Sequence, residues 1–265
     1  MSHDYRPYRE FAERAALRAG AILLDAYGKV ASREKAPGDL VTDADLASQR
    51  AILGMTLETY PDHTMLAEEE GVTPDAGKPW RWIVDPLDGT MNFAHGNPLW
   101  CVSIALEHAG ELVVGVVYHP LSQTLHSASL GGGATVNGSP CRVSGATRLA
   151  ESLTAVSFPT NFAADADRQL ALMRRFSTGT HSVRRSGTSA WNLAMLAQGG
   201  FEICYATAMH PWDAAAGVVL VREAGGIVTA LDGGHYSLYN GRGILATNGA
   251  VHSEAENAIR EARPH

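Results

Sequence analysis

The run Trp82-Ile83-Val84-Asp85-Pro86-Leu87-Asp88-Gly89-Thr90-Met91-Asn92-Phe93 sets two carboxylates where an apolar stretch breaks at a proline. Like charges so close repel unless a cation lies between them, so the pair asks for a metal ion. An Asx-type turn, with Asp88 capping a helix that starts at Gly89, is the other reading of the same residues. Three more acidic sites stand at comparable ends. Glu68-Glu69-Glu70 follows Met65-Leu66, Asp45 follows Leu40-Val41, and Asp213 precedes Ala214-Ala215-Ala216-Gly217. Taken singly, Asp45 completes a Thr42-x-x-Asp45 capping box and Asp213 is a first-turn charge that complements a helix dipole. Taken together, they are a set of carboxylates that divalent cations would gather in one place.

The donor types select the ion. None of the eleven histidines stands in a paired spacing such as H-E-x-x-H, and an all-oxygen set suits Mg²⁺ rather than zinc. Two ions in such a cluster would stabilise both the attacking and the leaving oxygen of an in-line displacement, and one would lower the pKa of bound water. Gly89 and Thr90 would open a helix whose unpaired N–H groups and dipole favour a phosphate. No Cys or Ser in these motifs sits like an activated nucleophile, so direct attack by water is expected rather than a phosphoenzyme.

These residues need elements to hold them. Apolar positions from Tyr8 to Tyr27 recur at helical spacing and stop at Gly28, and a second helix runs from Thr42 to about Tyr60. Arg33 to Asp39, with Pro37 and Gly38, is expected to be a mobile loop. Short strands are expected at 64–66 and 82–84, each ending at carboxylates. A hairpin joins Cys101–Glu107 to Leu112–Tyr118, and Thr124–Leu130 adds a strand before the Gly131-Gly132-Gly133 loop. From Leu153 onward strands and helices alternate: strands at 153–158, 181–184, 202–205 and 226–230, helices at 166–176, 189–198, 212–224 and 253–261. Such alternation argues for an α/β layer, so the chain divides near residue 145 into an α+β part, 1–145, with most of the carboxylates, and an α/β part, 146–265, with Asp213.

Composition bounds the partners. At 265 residues with 45% hydrophobic and 18% charged, the chain can bury a substantial core. A formal net charge of −7 argues against nucleic acid, whose phosphates need clustered Lys and Arg. Cys101, Cys141 and Cys204 are odd in number and far apart, which fits reduced thiols in a cytoplasmic protein. No apolar run approaches a membrane span, and the first twenty residues lack the stretch of a signal peptide.

The Asp85–Phe93 signature, with Trp212-Asp213-Ala214-Ala215-Ala216-Gly217 downstream and Glu68-Glu69 upstream, resembles the inositol monophosphatase family from about residue 8 to residue 260. The resemblance implies a five-layered α-β-α-β-α sandwich, a homodimer, and Mg²⁺-dependent, lithium-sensitive hydrolysis of a small phosphorylated metabolite. It implies that Glu68, Asp85 and the Leu87 carbonyl hold a first Mg²⁺ and that Asp85, Asp88 and Asp213 hold a second. A third, weaker ion would sit near Glu68, and Mn²⁺ would substitute. Asp45 and Thr90, with Glu68, would orient and help deprotonate the attacking water. Asp88, Gly89, Thr90 and Asp213 would face the substrate, and Ser186, Gly187 and Thr188 would touch its leaving group. That loop can also be read as a strand-to-helix turn capped by Thr188.

Glu69 and Glu70 compete with Glu68 as ligand, and Lys35 aligns with a basic residue near the family's metal site or is simply solvated. Members that act on inositol phosphates carry a Glu seven residues before the Asp of the second motif, and here that position is Ala206. Inositol 1-phosphate is the best single substrate. Histidinol phosphate, another sugar phosphate or a nucleotide is the alternative, and a catalytically weak regulatory binding module is the alternative of another class.

Overall fold

The computed structural model describes residues 3–29, 32–36, 39–69, 77–159 and 162–262, with backbone only for residues 35, 36 and 39. Glu70 and the Lys35 side chain therefore lie outside the described residues. The first helix, α1 (Arg6–Ala26), turns Phe11, Ala15, Ala19 and Leu23 inward at helical spacing. Residues 33–36, expected as loop, are paired backbone instead. Strands β1 (Ser32–Ala36) and β2 (Asp39–Thr42) form an antiparallel two-stranded ribbon. Ladder bonds join backbone groups, so the charged run Arg33-Glu34-Lys35 needs no apolar alternation to make one. The ribbon feeds α2 (Asp43–Thr59), which opens with the expected capping box between Thr42 and Asp45.

Seven strands follow in sequence order across one sheet: β3 (Thr64–Ala67), β4 (Trp80–Asp88), β5 (Cys101–His108), β6 (Glu111–His119), β7 (Thr124–Ser129), β8 (Gly133–Val136) and β9 (Ser139–Pro140). Only β3 and β4 are parallel neighbours there. The short α3 (Thr90–Ala94) lies between β4 and β5. The glycine run at 131–133 was expected as loop alone, yet Gly133 already belongs to β8.

Side chains on a strand alternate faces, and here the parity sorts them into two cores. Trp82, Val84, Ile104 and Val116 pack with Phe11 and Ile52 of α1 and α2, while Ile83, Ala105 and Val117 pack with Leu193 and Val218 of later helices. A strand buried on both faces reads as a near-continuous apolar run, which is why 112–118 is so rich in valine.

The second sheet has five strands in the order β11 (Ser182–Arg184), β10 (Leu153–Ser157), β12 (Ile203–Ala206), β14 (Ile244–Thr247), β13 (Ile227–Thr229). Helices α4 (Ala166–Gly179) and α7 (His252–Glu261) cover one face, burying Phe176, Tyr205, Leu245 and Ala255. Helices α5 (Ser189–Ala197) and α6 (Pro211–Glu223) lie between the two sheets. The layers therefore run α-β-α-β-α, as the resemblance implies. A Cβ on Gly115 would overlap the Ala216 carbonyl oxygen, so β6 and the small-residue helix α6 approach more closely than a side chain there would allow. That approach brings Asp213, at the head of α6, down onto β4. No helix among the described residues is long and apolar enough to cross a membrane.

Candidate metal and phosphate site

Strand parity decides which acids meet. Leu66 of β3 lies opposite Ile83 of β4, so Glu68 and Asp85, two residues further on each, continue the same row toward α6. Glu68 N–H donates to the Val84 carbonyl at 3.3 Å, and its carboxyl shares a hydrogen bond with Asp85. Pro86 has no N–H to give the ladder, and the β4–β5 register slips between Asp85 and Asp88. The slip turns both carboxylates to one side. Leu87 N–H donates to Asp85 Oδ1 at 3.0 Å and Ser48 Oγ to the Pro86 carbonyl at 3.0 Å, which fixes the bulge. Asp213 joins from α6, where the His210 N–H donates to its Oδ2 at 3.3 Å. Asp85, Asp88 and Asp213 thereby present carboxylate oxygens within 4.8 Å of one another.

Burial pushes the Asp85 and Asp213 carboxyls well above the usual range, and the neighbouring acids push further: Glu68, Asp88 and Asp213 on Asp85, and Asp88 and Glu68 on Asp213. Asp88 is raised to about 6 by burial, against hydrogen bonds from Thr188, Ala190 and Ser189 that favour its charged form. Among the described residues no Lys or Arg side chain pairs with Asp85, Asp88 or Asp213. Acids that are largely buried, have no cationic side chain paired with them among the described residues and present hard oxygens only fit divalent metal ions.

Beside this cluster stands Asp45, buried at the head of α2. Its Oδ2 accepts from the Thr42 N–H at 2.9 Å and Thr42 Oγ at 2.5 Å, and its Oδ1 from Thr90 Oγ at 3.1 Å. The capping box and the tie to Thr90 thus coexist on one carboxyl. Burial raises Asp45 above the usual carboxylate range, against the hydrogen bonds from Thr42 and Thr90. Thr90 Oγ also lies 3.0 Å from the Leu87 carbonyl. Gly89 precedes Thr90 with φ +97°, and a Cβ there would come within 2.9 Å of the Leu99 carbonyl, so the turn into α3 requires glycine.

The expected leaving-group loop, Ser186-Gly187-Thr188, closes the other side. A cavity of about 440 Å³ opens there, between Met91 and Asn92 of α3, Ser157 and Phe158 at the end of β10, and the loop from Arg185 to Ser189. Arg185 lies over the Phe158 ring at 5.1 Å. Ser186, Gly187 and Thr188 line this cavity, and Thr188, 2% exposed, spends its hydroxyl on Asp88. Ala206 sits fully buried at the end of β12, paired with Ile244.

Sequence reasoning did not single out Asn92, whose Nδ2 donates to the Leu99 carbonyl at 2.6 Å and the Ser186 carbonyl at 2.8 Å. Nor did it single out Ser48. The place of Asn92 inside the Asp85–Phe93 signature was the available signal, while its partner Ser186 lies 94 residues away.

A model of the inositol monophosphatase family matches residues 4–264. The inositol-1-monophosphatase of Synechocystis sp. is 42% identical over 258 residues, 97% of this chain and 90% of that protein. The putative Nus factor SuhB of Neisseria meningitidis serogroup B is 38% identical, over 92% of this chain and 95% of that one. The solved inositol monophosphatase from Anabaena has a TM-score of 0.91 against this fold at 36% identity, covering 99% of this chain and 98% of its own. Likeness over nearly the whole length, joined to a buried acid cluster that fits metal ions, means that the chain belongs to the inositol monophosphatase family and is a metal-dependent phosphatase.

Proposed function

We propose that the protein hydrolyses a small phosphate monoester, inositol 1-phosphate being the best single substrate, by direct attack of water with Mg²⁺ as cofactor. The observation that carries this reading is the meeting of Glu68, Asp85, Asp88 and Asp213 beside the Asp45–Thr90 pair. Glu68, Asp85 and the Leu87 carbonyl would hold a first ion, and Asp85, Asp88 and Asp213 a second, with a weaker third near Glu68. When bound, the ions supply Lewis-acid stabilisation of the phosphoryl oxygens and acidify water.

The chain's own groups do the rest. Thr90 Oγ accepts the proton of the attacking water as its own proton passes toward Asp45 Oδ1, 3.1 Å away. Burial raises Asp45 above an ordinary carboxylate, which makes it a better proton acceptor. The Gly89 and Thr90 N–H groups, at the open end of a helical turn, face the phosphate. Ser186 and Gly187 border the leaving group.

Ala206 brings no carboxylate to the ring hydroxyls of an inositol, so histidinol phosphate, other sugar phosphates and nucleotides belong in the same assay. Phosphate release with Mg²⁺ across that panel tests the reading, and its absence for every substrate defeats it. We also propose a cytoplasmic homodimer inhibited by Li⁺, and sedimentation and a Li⁺ titration check the last two. The Neisseria relative's name favours a second reading, a regulatory binding role. Asp88→Asn separates the two, because turnover is lost while a binding role persists.

A further inference from the structure

Asp88 is held more tightly than a free metal ligand needs to be. Its Oδ2 accepts from Thr188 Oγ at 2.5 Å and from the Ala190 N–H at 2.7 Å, and its Oδ1 from the Ser189 N–H at 3.2 Å. The Cys101 thiol approaches Oδ2 at 3.7 Å. A carboxylate oxygen has two lone-pair sites, so Oδ2 is filled by its two strong donors while Oδ1 keeps one site open. The three donors come from consecutive residues at the start of α5, and that helix begins on the loop that borders the leaving group. Across the cavity, Asn92 Nδ2 bonds the Ser186 carbonyl at 2.8 Å and ties the same loop to α3.

We infer that Thr188 is a positioning residue for the metal site: it locks Asp88 so that Oδ1 alone is offered to a cation, and it ties metal binding to the set of the leaving-group loop. The inference rests on the proposed assignment of Asp88 as a ligand. It gives Thr188 a task beyond its place in the cavity lining, because its hydroxyl donates its single proton to Asp88 and the residue is only 2% exposed. Second partners of ligating carboxylates fix their orientation, and losing one commonly costs ten- to a hundredfold in metal affinity. Serine keeps the hydroxyl and valine keeps the shape, so the two substitutions separate the hydrogen bond from the packing.

The experiment is Mn²⁺ titration calorimetry without substrate on wild type, Thr188→Val and Thr188→Ser, with metal-free melting curves alongside. Thr188→Val should bind the ion at the Asp88 site about tenfold more weakly. It should also need correspondingly more Mg²⁺ for half-maximal turnover, and Thr188→Ser should stay within about twofold of wild type. Should Thr188→Val fail to fold, Thr188→Ala carries the same comparison. Unchanged Mn²⁺ affinity in a folded Thr188→Val, with only the substrate KM raised, overturns the inference and returns Thr188 to substrate contact. A wild type that binds no Mn²⁺ at all overturns the metal assignment itself, which is a different result from two proteins that bind equally.

Discussion

The acidic floor of the site and the wall of the cavity above it are built by different means. Asp85, Asp88 and Glu68 project from strand ends whose faces are fixed by the β3–β4–β5 register, and Asp213 comes from a helix pressed onto that sheet. The wall is mostly loop: residues 158–159 after β10 and 185–188 before α5, with Phe158 and Arg185 exposed enough to meet a leaving group. Precise placement of charge needs a rigid scaffold, whereas a leaving group can be met by loops that vary without disturbing it. On the proposed function, the floor would carry the chemistry and the wall the choice of substrate.

If that division holds, floor variants lower turnover for every substrate alike. Asp85→Asn should have the largest effect, cutting kcat by about 10³-fold or more, since it would deprive both ions of a shared ligand. Thr90→Ala should follow, at roughly 10²-fold in kcat with little change in Mn²⁺ affinity, because it would interrupt proton transfer rather than metal binding. A wall variant behaves otherwise. Arg185→Ala should leave kcat for an inositol phosphate nearly unchanged while shifting the ratio of KM values across the substrate panel by about tenfold. Equal losses on all substrates would erase the distinction between floor and wall.

The smallest effect expected is on stability without metal. Asp88 is raised to about 6, and Asp85 and Asp213 are raised too, above the 3.8 of an unperturbed aspartate. Above the unfolded value the folded chain holds more protons than the unfolded one, so stability falls as pH rises from about 4 through the Asp88 value of about 6 and goes on falling through the raised values of Asp85 and Asp213. A metal-free melting series should lose several degrees over that interval, and saturating Mg²⁺ should restore most of it at neutral pH. A Tm that climbs steadily from pH 4 to 7 without metal would contradict the crowding of the floor.

Much of the floor was legible because it is local. Pro86 stands between two aspartates where the β4 ladder slips, Thr42-x-x-Asp45 spells a capping box, and Asp213 heads a run of small residues. The apolar runs of β5 and β6 likewise declared themselves. What escaped depends on partners distant in sequence. Strand β14 (Ile244–Thr247) is four residues between glycines and Asn248, too short to show alternation, and β1 is a charged segment held by its backbone. Asn92 and Thr188 carry polar side chains whose targets, Ser186 and Asp88, lie 94 and 100 residues away. Nothing in their own neighbourhoods states that meeting. Register also bears on the choice among Glu68, Glu69 and Glu70: the parity of β3 turns Glu68 toward Asp85, while the Glu69 N–H donates to the side-chain oxygen of Gln49 at 3.0 Å.

The most direct test is a crystal of this protein soaked in Mn²⁺ and read by anomalous scattering. Peaks within about 2.0–2.3 Å of Asp85, Asp88 and Asp213 oxygens, with Asp85 shared between two of them, are the expected result. Density for ordered carboxylates with no anomalous peak among them, at millimolar Mn²⁺ and neutral pH, would contradict it.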